Sequence, residues 1–79
     1  MKEGSEQLQA AFGGILRKLR GRAGLSQEQL ALECGLDRTY ISLLERGLRQ
    51  PTLSTLFVLA RTLNTRPSKL VARVEADIK

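Results

Sequence analysis

Apolar residues recur at three- and four-residue steps almost throughout the chain, and no stretch alternates apolar and polar positions as a half-buried strand would. The pattern predicts an all-α chain of five helices with short connections. Leu8, Phe12, Ile15, Leu16 and Leu19 make the first stripe, which Gly13 and Gly14 interrupt. Each glycine costs a helix interior about 1 kcal/mol relative to alanine, so the first two turns are expected to fray. Ser26 followed by Gln29 has the spacing of a reciprocal capping box that opens the second helix, with Glu28 adding negative charge at its positive end. Gly35 ends that helix where the chain needs a left-handed residue, and Asp37 caps a third helix running from about Arg38 to Arg46 and stopping at Gly47. The loop GLRQP follows. Pro51 and Thr52 open a fourth helix whose buried face is expected to be Leu53, Leu56, Phe57, Ala60 and Leu63, with Asn64 as its left-handed C-terminal residue. Pro67 suits the first turn of a fifth helix, about residues 67–76.

Residues 26–47 concentrate the information. Two amphipathic patterns meet at a single glycine-centred corner, so Leu30, Ala31 and Cys34 on one side must pack on Leu36, Ile41 and Leu44 on the other. Ala31 is small where the second helix of the pair crosses closest. This is the layout of a helix-turn-helix, whose second helix enters the major groove of DNA. Ile41 and Leu44 fall on the buried side of that helix, while Arg38, Thr39, Ser42 and Leu43 project from the other at the spacing of successive base edges. These four are the candidate base contacts. Arg38 leads them, because a guanidinium fork donates two bonds to guanine O6 and N7, worth about 1–3 kcal/mol of discrimination.

Composition narrows the function further. A chain of 79 residues supports one domain, here 1–79. Apolar residues make up 42% of it, no run approaches the roughly 20 needed to span a bilayer, and the start MKEGSEQLQA is too polar for a signal peptide. A cytoplasmic location is expected. One cysteine and no histidine remove disulfide frameworks and the usual zinc-ligand sets, and no phosphate-cradling loop or converging carboxylate pair suggests an enzyme. No cofactor, metal or small-molecule ligand is expected, and Cys34 reads as a small core residue rather than a redox sensor. Thirteen Lys+Arg against eight Asp+Glu give a net charge of +5, which favours a polyanionic partner.

Leu25-Ser26-Gln27, Leu30-Ala31, Gly35, Ile41, Leu44-Glu45 and Gly47, followed by Pro51-Thr52-Leu53 and Leu56, resemble the phage-repressor and Cro-like, or XRE-type, regulators over roughly Phe12 to Val71. The string LDRTYIS followed by ERG also looks like the controller proteins of restriction-modification systems, small dimeric members of that family. The resemblance implies a compact five-helix, lambda-repressor-like domain. It gives Gln27 the role of bonding a phosphate and bracing the recognition helix, and it makes Arg20 and Glu45 an ion pair linking the first helix to the end of the third. If buried, such a pair loses about 3–5 kcal/mol on truncation of one partner, whereas an exposed one contributes little. Arg17, Lys18, Arg22, Arg46 and Arg49 are further phosphate candidates, each adding to counterion release. Ser26 is a phosphate candidate or only a cap, and Tyr40 reaches a phosphate or covers the junction of helices 3 and 4.

The leading function is a sequence-specific regulator binding double-stranded DNA as a symmetric homodimer, with half-sites about 10 base pairs apart. Leu70, Val71, Val74 and Ile78 are expected at the dimer interface, the alternative being that helix 5 completes the single-chain core. An activator would also need an RNA polymerase contact, which no spacing here identifies. The rival is an antitoxin-like protein-interaction module that binds DNA secondarily; the chain shows no long extension for wrapping a partner.

Overall fold

The computed structural model describes residues 5–78, and the described residues form five helices: α1 Ser5–Arg22, α2 Gln27–Cys34, α3 Arg38–Glu45, α4 Leu53–Thr62 and α5 Pro67–Asp77. The helix boundaries follow local chemistry. Ser26 Oγ accepts from the Gln29 amide at 3.0 Å while Gln29 Oε1 accepts from the Ser26 amide at 2.7 Å, which completes the expected capping box. Gly35 closes α2 at φ 69, and its neighbour Leu36 donates back to the Ala31 carbonyl at 2.9 Å. Asp37 Oδ1 caps α3 through the Thr39 amide, Thr52 Oγ1 caps α4 through the Thr55 amide, and Asn64 leaves α4 in the left-handed region.

Every helix contributes to one core. Leu16, Leu30, Ile41, Leu44, Leu59 and Leu70 are fully buried, and each such side chain contributes about 1.5–3 kcal/mol of transfer free energy. α3 is held between α1 and α2, α4 packs on α2, and α5 packs on α1 and α4. Cys34 lies where α2 meets α4, its thiol bonded to Thr62 Oγ1 at 3.3 Å. Burial pushes that thiol's pKa up, the Thr62 bond opposes the shift and the Glu33 charge adds to it.

Three sequence expectations are corrected. α1 runs unbroken through Gly13 and Gly14, and Gly13 is a packing residue. A Cβ there would lie 2.4 Å from the Leu44 carbonyl oxygen and 2.6 Å from that of Glu45, so its absence lets α1 rest directly on the last turn of α3. The expected buried face of α4 is rotated. Leu53 is 72% exposed and Phe57 50%, while Leu59 and Ala60 are fully buried with Leu56 and Leu63 packed beside them. Positions 56, 59, 60 and 63 make a regular i, i+3, i+4, i+7 stripe; Leu53 and Phe57 sit on its flank. In α5, Leu70 is fully buried in the core and so is not free to face a second subunit; Val74 packs on the core but also lines an open groove, Val71 is half exposed and Ile78 is partly buried against the core.

Candidate nucleic-acid interface

α3 is split lengthwise. Ile41 and Leu44 are buried against α1 and α2, and Arg38, Thr39, Ser42 and Leu43 occupy the opposite half, the first two exposed and the last two partly so. Arg38 and Ser42 are one turn apart, as are Thr39 and Leu43, so the four form two adjacent rows on an accessible face. Arg46 at the end of α3 and Arg49 in the loop beyond are exposed, and so is Arg17 on α1. Tyr40 is partly buried against the core, which favours its covering role.

The presentation of α3 is fixed by one carboxylate. Arg20 Nε and Nη2 donate to the two oxygens of Glu45 at 2.6 and 3.0 Å, and Arg20 Nη1 donates to the Leu25 carbonyl at 2.8 Å. The Glu45 side chain is 3% exposed and that of Arg20 16%, so the ion pair expected from sequence exists and is largely buried. The hydrogen bond to Glu45 raises the Arg20 pKa, against the opposing effect of burial. Gln27 Nε2 also donates to Glu45 Oε1, at 3.0 Å. A carboxylate only accepts, so the Gln27 amide must turn its NH2 toward Glu45, which leaves the second amide hydrogen for another acceptor. Helices α1, α2 and α3 thus converge on a single buried carboxylate. Sequence reasoning anticipated the Arg20 pair but missed the Gln27 bond and the contact to Leu25.

A family model described as helix-turn-helix matches residues 16–70. The chain belongs to the HTH_3 helix-turn-helix family. Members of this XRE-type family are DNA-binding transcription regulators, in agreement with the split face of α3. This HTH_3 domain is 53% identical over 58 residues to the control protein C.SmaI of Serratia marcescens, covering 73% of the chain and 69% of that protein. Its fold matches the crystal structure of the restriction-modification controller protein C.AhdI from Aeromonas hydrophila with a TM-score of 0.76 and 45% identity, over 78% of this chain and 94% of that one. It also matches the controller C.Esp1396I, crystallised as a tetramer with its natural 35 base-pair operator, with a TM-score of 0.79 and 31% identity over 90% and 93% of the two chains.

Two other sequence candidates lie elsewhere on this HTH_3 domain. Lys18 and Arg22 are about 140° and 180° around α1 from Gly13, the point where α3 rests, so they face away from the recognition helix. Of the exposed apolar residues, Leu32 on α2 and Leu48 in the loop after α3 stand apart, while Leu53, Phe57 and Val71 gather on α4 and α5. Leu8, Phe12, Gln50, Pro51, Leu56, Val71 and Val74 line an open, largely apolar groove of about 180 Å³, with Leu53 and Phe57 exposed on α4.

Proposed function

We propose that this protein is a sequence-specific regulator that binds duplex DNA as a symmetric homodimer at a palindromic operator, placing one α3 in each major-groove half-site. The observation that carries this reading is the open polar half of α3, clamped from behind by the Arg20–Glu45–Gln27 cluster. Arg38, Thr39, Ser42 and Leu43 read base edges. Gln27, Ser26, Arg17, Arg46 and Arg49 hold phosphates, while Tyr40, packed on the core, is the weakest of the phosphate candidates. Controllers similar to this chain support the reading, one of them crystallised on its operator.

The dimer interface follows from exposed apolar surface rather than from helix 5 as a whole. Leu53, Phe57 and Val71, beside the groove that Leu8 borders, are the residues a two-fold partner would cover. The cytoplasm, where its proposed DNA partner lies, is the compartment this reading implies; among the described residues no helix is long and apolar enough to cross a membrane.

Selection of bound duplexes from a random pool tests the whole reading. A palindromic consensus with half-site centres about 10 base pairs apart is expected, and failure to enrich any sequence overturns it. Arg38→Ala should then relax preference at one base position by about 1–3 kcal/mol, whereas Arg49→Ala should weaken all duplexes alike and reduce the salt slope by about 0.9.

A further inference from the structure

The family reading leaves a second basic face unexplained. Lys18 and Arg22 on α1 line a surface depression together with Arg73 of α5; Arg73 and Lys69 line the next one, and Lys69 with Arg66 a third. The shared residues make these depressions one continuous strip. All five cations are exposed, and the one ion pair among the described residues, Arg20–Glu45, includes none of them. Asp77 is the single carboxylate lining the strip.

Two features set the strip apart from ordinary solvated charge. Lys18 and Arg22 stand four residues apart on α1, as do Lys69 and Arg73 on α5, and like charges at that spacing destabilise a helix. The α1 end of the strip, Lys18 and Arg22, also lies on the side of α1 away from its contact with α3, where an operator lies in the proposed reading.

We propose that this strip binds the phosphate backbone of a second duplex segment, without sequence preference, while α3 occupies the operator. A protein partner fits less well: interfaces between proteins centre on exposed aromatic or large apolar anchors, whereas the large apolar residues lining the strip, Ile15, Leu19 and Leu63, are partly buried against the core and the exposed apolar side chains are Ala72 and Ala76. Asn64 and Thr65 at the strip's end add neutral donors of the kind that bond phosphate oxygens. The proposal rests on the reading of α3 as the operator-binding helix.

The test uses the duplex enriched by selection, immobilised and saturated with protein, and a labelled duplex of unrelated sequence in solution. The wild type should retain the labelled duplex at low salt. If four phosphates are neutralised, that second affinity should fall roughly a hundredfold between 50 and 200 mM salt. Lys69→Ala/Arg73→Ala should lower retention at least tenfold while operator affinity and helix content stay unchanged. A saturated operator that captures no second duplex, or a double variant that captures it undiminished, overturns the proposal. So does polyglutamate binding the strip more tightly than DNA, which would assign it to an acidic protein. Failure to bind the operator itself is a separate outcome and sinks the reading of α3.

Discussion

Two neighbouring glycines in α1 should respond to the same substitution with opposite signs. Alanine is about 0.5–1 kcal/mol better than glycine in a helix interior, and Gly14 is exposed with nothing within 4 Å of an added Cβ. Gly14→Ala should therefore stabilise the domain by that amount. At Gly13 the same gain is opposed by backbone overlap at 2.4 and 2.6 Å with the carbonyls of Leu44 and Glu45. Neither atom belongs to a side chain that can rotate away, so α1 and α3 must separate. Overpacking of this kind costs about 1–3 kcal/mol, and immovable backbone places the cost in the upper half of that range. The net loss for Gly13→Ala is then about 1–2 kcal/mol, and the two variants should differ by about 2–3 kcal/mol. In a domain of this size that separates their melting temperatures by roughly 10–20 °C. Thermal and urea unfolding at one fixed protein concentration measure it, since the proposed dimer would make stability depend on concentration. A Gly13→Ala protein as stable as wild type would refute the claim that this glycine exists for helix contact.

Arg20→Ala should destabilise by about 3 kcal/mol in urea unfolding, because it strands the buried Glu45 carboxylate and frees the Leu25 carbonyl; Arg20→Lys should not restore the loss, since an ammonium cannot make the two-pronged bond. The raised pKa of Cys34 adds stability that is fully present below the unfolded thiol's pKa, about 8.5, and is lost as pH rises through the higher folded value. Stability should thus decline in alkaline solution more for wild type than for Cys34→Ser, and the pH midpoint for alkylation of the native thiol should lie above that of the unfolded chain. Phe57→Asp with Val71→Asp should give a folded monomer by sedimentation, and persistence of a dimer would move the interface elsewhere. Val74→Asp, at a core position, should impair folding instead.

Local signals carried most of the architecture. Ser26 with Gln29, the left-handed Gly35 and Asn64, and Pro67 each act within a few residues of themselves, so the five helices and their ends were legible from sequence. The polar row on α3 was legible for the same reason: Ile41 and Leu44 leave only one direction in which Arg38 and Ser42 can point. What escaped depends on partners distant in the chain. Gly13 looked like a weakness because the two carbonyls it accommodates are about thirty residues away. Leu53 and Phe57 looked buried because hydrophobicity alone does not tell a core stripe from an apolar flank, and the rotation of α4 is decided by how Leu59 and Ala60 meet α2 and α5. Likewise Gln27 and Glu45 come within 3.0 Å only after the corner at Gly35 has folded one helix across the other.

The convergence of three helices on Glu45 bears on the thermodynamics of recognition. A recognition helix tied to α1 and α2 in the free protein has little backbone freedom left to lose on meeting DNA. With the proposed contacts, the ordering entropy of association falls mainly on the long side chains of Arg38, Arg46 and Arg49, and association is a near rigid-body event. Beside direct readout by α3, discrimination between operators then also depends on how well a given DNA can bend and twist to fit an unyielding protein surface, so that base steps the protein never touches enter the affinity through their stiffness.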